Sequence, residues 1–133
     1  MIVDASALLA ILKNEPERAA FVRALASADR LRMSVVNYLE VAIKIDRQPD
    51  PVVTRRFNEL VDALGLELVA VTVEHAGVAR EAYRDFGKGS GHPAQLNFGD
   101  CFAYALAISA GEPLLFKGDD FTHTDVVVAE FSL

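Results

Sequence analysis

The residues able to do chemistry in this chain are carboxylates at positions where a surface acid is not expected. Asp4 stands at the seam between a short β-branched run, Ile2-Val3, and a helical apolar pattern that begins at Ala5. Glu40 follows Val36 by four residues and precedes Ile43 by three, which puts it on the apolar face of a helix. A buried ionised acid there needs a cation, a metal or hydrogen bonds, or else it takes up a proton. Asp100 falls in the first turn of a long helix, where the positive end of the macrodipole favours an anion. Asp119 and Asp120 come directly after a strand, as Asp4 does. Each has an ordinary alternative: a helix cap for Asp4, a first-turn acid for Asp100, an Asx turn for the Asp pair, an ion pair with Lys44 or an arginine for Glu40. Jointly they are oxygen donors that repel one another when empty and suit a hard divalent cation such as Mg²⁺ or Mn²⁺. A cation so held can assist hydrolysis of a phosphodiester.

Positioning these acids requires strands and helices in alternation. Ile2-Val3 is followed by a helix to Lys13 carrying Leu8, Leu9, Ile11 and Leu12, and a second helix runs from Pro16 to Ala28. Leu31 to Ser34 reads as a strand, and Val35 to about Arg47 as a helix with Val36, Leu39 and Ile43 at helical spacing. Gln48-Pro49-Asp50-Pro51 ends it, and Val52 to Leu64 forms another helix with Gly65 at its C-terminal cap. Leu66 to Val71 is a third strand. Thr72 or Glu74 opens a helix to about Phe86, and a glycine-rich loop, Gly87 to Pro93, follows. Asn97 caps a helix through Ala110 that Gly111 closes, after which Pro113 to Phe116 and Val126 to Phe131 are the fourth and fifth strands. Such alternation predicts an α/β fold with a parallel sheet covered on both faces. In such a sheet ligands bind beyond the carboxyl ends of the strands. If strands one and four are neighbours there, Asp4 and Asp120 meet in one crevice.

Composition narrows the function classes. At 133 residues the chain suffices for one sizeable core, so one domain spanning 1–133 is expected. Hydrophobic residues make up 52% and mean hydropathy is +0.24, rich enough to suggest apolar surface covered by a partner or a second copy. No apolar run has the length of a membrane span and no signal-like segment opens the chain, so a cytoplasmic protein is expected. Cys101 is the one cysteine, which excludes an internal disulfide and a thiolate metal site. A net charge of −6 has the wrong sign for holding nucleic acid by the general field of the protein, so any such contact must be local. Gly87-Lys88-Gly89-Ser90-Gly91 lacks the GxxxxGK[ST] pattern and follows a helix, so nucleotide binding there is rejected. Lys88, His92 and Lys117 lie near the expected mouth, and Tyr83, Phe86, Phe98, Phe102 and Tyr104 read as core.

Four segments together carry a family resemblance: Ile2-Val3-Asp4-Ala5-Ser6-Ala7-Leu8, the spacing from Met33-Ser34 to Glu40, Leu96-Asn97-Phe98-Gly99-Asp100-Cys101-Phe102-Ala103, and Pro113-Leu114-Leu115-Phe116-Lys117-Gly118-Asp119-Asp120-Phe121. In order and length the chain resembles the PIN-domain ribonucleases of the VapC toxin family. The resemblance implies a three-layer α/β/α sandwich with a parallel sheet of about five strands in the order 3-2-1-4-5. It implies an acidic site of Asp4, Glu40, Asp100 and Asp120, with Asp4 and Asp100 as ligands of Mg²⁺ or Mn²⁺. Many relatives also carry an acid three residues before the aromatic at Phe121, where this chain has Gly118, which leaves Asp119 or Asp120 for the fourth acid. An RNA substrate, plausibly tRNA or rRNA, a homodimer and neutralisation by a VapB-type antitoxin are implied as well, with the helices Pro16 to Ala28 and Val35 to Arg47 the surfaces for antitoxin contact. Two other classes stay open at this point: a non-catalytic PIN-like binding module, and a phosphoryl-transfer or receiver-type α/β domain. Against the receiver, no aspartate ends the third strand at Val69-Ala70-Val71.

Overall fold

The computed structural model describes residues 1–132. The elements in chain order are β1 (Ile2–Val3), α1 (Ala5–Leu12), α2 (Arg18–Ser27), β2 (Arg32–Ser34), α3 (Val35–Asp46), α4 (Pro51–Leu64), β3 (Glu67–Val69), α5 (Val73–Phe86), α6 (Phe98–Ala110) and β4 (Leu114–Leu115), followed by a 3₁₀ turn at Asp120–His123. The strands pair in parallel in the order β3-β2-β1-β4. The chain therefore starts in the sheet interior, builds outward through β2 and β3, and returns to the other side of β1. That reversal between β1 and β4 opens a crevice beyond their carboxyl ends.

Side chains alternate across the short strands and divide the interior in two. Val3, Met33 and Leu115 join a core with α1, α2, α3 and α4, whereas Ile2, Leu114 and Phe116 join one with α5 and α6. This is the three-layer α/β/α sandwich expected. Helix α1 is buried along almost its whole length, which explains a sequence of Ala, Leu and Ile without a polar face. Among the described residues no helix is long and apolar enough to cross a membrane.

Local signals set the helix ends. Asp50 accepts from the Val52 N–H at 3.0 Å ahead of Pro51, and Gly65 closes α4 at φ +59°, the left-handed conformation glycine adopts without cost. Asn97 and Asp100 form a reciprocal capping box on α6, which Gly111 ends at φ +64°.

Two expectations are corrected. The segment Val126 to Phe131 is not a fifth strand; it runs parallel beside β4 and makes one bridge, Leu114 to Val128, so the sheet has four strands among the described residues. That pairing is confined to Leu114, which donates to the Val127 carbonyl at 2.8 Å and accepts from the Ala129 N–H at 2.9 Å; on the β1 side the Lys117 N–H donates to Ser6 Oγ at 2.9 Å. The buried face of α3 is also rotated from the one the spacing predicts. Asn37, Val41 and Ile45 face inward, while Val35, Leu39 and Ile43 are exposed.

Candidate active site

Four carboxylates line one cleft at the carboxyl edge of the sheet: Asp4, Glu40, Asp100 and Asp120. Asp4 is the residue after β1 and caps α1, its Oδ2 accepting from the Ser6 N–H at 3.0 Å and the Ser6 hydroxyl at 2.6 Å. Only 3% of its surface is exposed. Glu40 reaches in from α3, half-buried at the margin of the inward face, and its Oε1 accepts from Asn37 Nδ2 at 2.7 Å. Asp100 stands in the first turn of α6, its Oδ2 accepting from the Asn97 N–H at 3.0 Å. Asp120 opens the 3₁₀ turn after β4.

The two adjacent acids after β4 part company. Asp120 faces the cleft with the other three, whereas Asp119 lines a groove beside Phe21 and Val128. Gly118, at φ +100°, makes the turn out of β4, and a side chain there would be strained. The caps and the cleft acids are partly the same residues, so the structural and chemical readings of Asp4 and Asp100 coincide instead of competing.

Burial and repulsion between neighbouring acids make Asp4, Glu40 and Asp100 hold their protons more tightly. Desolvation raises the Asp4 carboxyl above its usual range, and the Ser6 hydrogen bonds only partly offset it. Burial likewise raises Glu40, opposed by the Asn37 hydrogen bond, with nearby Asp100 adding to the rise. Asp100 is pushed up to about 6, first by burial and then by Asp4 and Asp120, against the stabilising Asn97 N–H.

The donor set has the chemistry of a hard divalent cation: carboxylates alone around one cleft, with hydrogen bonding concentrated on one oxygen in Asp4, Glu40 and Asp100. Among the described residues no three acidic, histidine or cysteine side chains are gathered tightly enough to hold an ion as they stand.

Lysines near the cleft play different parts. Lys117 lines it, but its ammonium is paired with Glu15 and, at 3.2 Å, with Glu17. Lys44 lines the rim without an ion pair to Glu40, although its charge favours the ionised carboxylate. His92 is structural: its Nδ1 accepts from the Ala94 N–H at 3.1 Å and its ring packs edge-on against Phe86. Of the aromatics expected in the core, Tyr104 is buried but Phe98 is 71% exposed and Tyr83 46%. Asn37 and Gly99 were not singled out by sequence reasoning; a wholly buried asparagine three residues before Glu40, and a glycine inside a helix next to Asp100, were the signals available.

Ser6 links the two strand ends, donating to Asp4 and accepting from Lys117. Ser6→Ala strips both partners, and a loss of about 1–3 kcal/mol in urea unfolding is expected. Unchanged stability would show that neither bond matters.

Comparison with known proteins agrees with this fold. A family model for the PIN domain matches residues 1–127. VapC ribonuclease Mb0625 of Mycobacterium bovis and ribonuclease VapC28 of Mycobacterium tuberculosis are each 55% identical over 126 residues, covering 95% of this chain and 95% of theirs. The crystal structure of Mycobacterium tuberculosis VapC20, a sarcin-ricin loop cleaving toxin, superposes with a TM-score of 0.74 at 17% identity, covering 95% of both chains. VapBC2 from Rickettsia felis, bound to a DNA fragment from its promoter, gives 0.76 at 11% identity over 98% of both. The chain belongs to the PIN-domain family, and within it to the VapC ribonucleases.

Proposed function

We propose that this protein is a metal-dependent endoribonuclease acting in the cytoplasm as the toxin of a VapBC-type module, and that Asp4, Glu40, Asp100 and Asp120 form its active site. The observation that carries the reading is the convergence of these four carboxylates on the cleft between β1 and β4, in a chain 55% identical to named VapC ribonucleases. Asp4 and Asp100 would hold Mg²⁺ or Mn²⁺, with Glu40 and Asp120 completing the set. A bound divalent ion supplies positive charge to the phosphodiester and makes water more acidic.

The chain's own groups prepare that chemistry. Ser6 and the Asn97 N–H hold one oxygen each of Asp4 and Asp100, leaving the carboxylates oriented before any ligand arrives. Because Lys117 is committed to Glu15 and Glu17, exposed Lys44 and Lys88 are the cations left near the acids to meet RNA phosphates. With a net charge of −6, that contact is local and salt-sensitive. The exposed Val35, Leu39 and Ile43 stripe on α3 supports docking of a VapB-type antitoxin segment, and exposed Phe98 and Tyr83 support a homodimer. Inhibition of translation through tRNA or rRNA cleavage is the corresponding cellular effect.

The test is cleavage of total RNA by the purified protein with Mg²⁺ or Mn²⁺ and with EDTA. Discrete products that require the metal are expected. Products that persist in EDTA, or no cleavage of any RNA offered, would overturn the reading.

A further inference from the structure

The Glu40 carboxylate rests against the backbone of α6. A Cβ added at Gly99 would lie 2.2 Å from Glu40 Oε2 and 2.4 Å from Oε1 and Cδ, far inside any real contact. The backbone gives no reason for glycine at that place, since Gly99 sits within α6 and is absent from the positive-φ positions. What sets Gly99 apart from Gly77, which stands inside α5 with open space around it, is that the room a Cβ would need is taken by Glu40.

Asn37 closes the other side. It is fully buried, and its Nδ2 donates both to Glu40 Oε1 at 2.7 Å and to the Gly99 carbonyl at 3.0 Å. Both partners are acceptors, which fixes the amide orientation. Its Oδ1, in contrast, is buried with no donor among the described residues. An apolar residue of similar size would avoid that unsatisfied acceptor, so what Asn37 contributes is its amide N–H pair.

We propose that Asn37 and Gly99 form a seat that fixes the Glu40 carboxylate against the first turn of α6 and thereby sets its place beside Asp100. They are positioning residues, acting through Glu40. The seat gives the acidic site a rigid corner shared by two helices from opposite faces of the sheet. Its functional importance rests on the nuclease reading, but its geometry does not.

The experiment is a set of double-mutant cycles on the full chain: Gly99→Ala and Asn37→Leu, each alone and combined with Glu40→Ala. Mn²⁺ affinity by calorimetry, RNA cleavage and melting temperature are read for all. In the wild-type background each substitution is expected to lower Mn²⁺ affinity or cleavage about tenfold or more, the usual effect of losing a group that orients a ligand. In the Glu40→Ala background the same changes are expected to matter less than about twofold, because the side chain they act through is gone. Gly99→Ala should also raise the melting temperature by about 3 °C when Glu40 is absent, as helix propensity dictates, and should not do so when it is present. Losses that add to that of Glu40→Ala, or wild-type Mn²⁺ affinity and cleavage in both single variants, would overturn the seat. A wild-type protein that neither binds Mn²⁺ nor cuts RNA would sink the nuclease reading instead. The melting-temperature cycle then judges the seat alone, equal Gly99→Ala shifts in both backgrounds refuting it and unequal shifts sustaining it.

Discussion

Asp100→Asn is expected to reduce metal-dependent RNA cleavage by at least about a hundredfold, the upper end of what losses outside the ligand set itself cause, while the protein remains folded. The separation of the two effects follows from what each oxygen does. The Asn97 N–H binds Asp100 Oδ2 at 3.0 Å, and an asparagine carbonyl can accept the same bond, so the capping box and α6 survive. The lost charge comes from a cluster in which Asp4 and Asp120 already oppose ionisation of Asp100. Removing it relieves repulsion in the empty site and removes a donor from the filled one. Melting temperature equal to or above wild type, together with lost cleavage, is the expected pair of results. Retained metal-dependent cleavage would remove Asp100 from the active site.

The second large effect is on pH. Without metal, Asp100 has its carboxyl pushed up to about 6 by burial and neighbouring acids, against an ordinary value near 3.8, and Asp4 and Glu40 are raised as well. Between those values the folded protein holds a proton that the unfolded chain has released. Stability from this source is therefore fully present below about pH 4 and is lost as pH rises through about 6. Asp100 alone contributes on the order of 1–2 kcal/mol after allowing for its partial exposure to screening solvent. The measurement is the stability difference between Asp100→Asn and wild type at several pH values. The variant should gain on wild type as pH rises from about 4 to about 6 and hold level above that, a difference that also cancels the opposite contributions of unrelated surface carboxylates. Saturating Mg²⁺ should erase the gap above pH 6, since a ligand that binds the ionised site stabilises the folded state by mass action. A flat difference would show that Asp100 ionises normally.

Much of the architecture is written locally. Asp50-Pro51 and Gly65 bracket α4, and Asn97 and Gly111 bracket α6, because capping groups act on backbone N–H and C=O within one turn of themselves. The order of strands and helices and the placement of acids at strand ends are likewise legible, being matters of spacing along one chain. The homologous segments carry the family as a whole, since they span the chain in order.

What local spacing could not decide is which way a side chain meets a distant element. The α3 face was the clearest case. Val36, Leu39 and Ile43 form as good a helical stripe as Asn37, Val41 and Ile45, and only packing against the α1 and α4 layer selects the second set. Glu40 consequently lies at the edge of the buried face, where its carboxylate reaches the cleft. Asp119 and Asp120 are adjacent in sequence, and the turn at Gly118 sends them to different grooves. The fifth strand did not form because only Leu114 of β4 pairs with that segment, a single exchange of bonds with Val127 and Ala129 that spacing along the chain does not reveal.

The sequence by itself thus determined the helices, the first four strands and the caps, and it marked Asp4, Glu40 and Asp100 as acids out of place, because those depend on groups a few residues apart. Tertiary structure alone decided which distant groups close around those acids: the Lys117 N–H on Ser6 beside Asp4, and the Gly99 carbonyl on Asn37 beside Glu40 across 62 residues of chain. Such contacts follow from the sheet order that brings the chain's two halves together, and no local propensity encodes them.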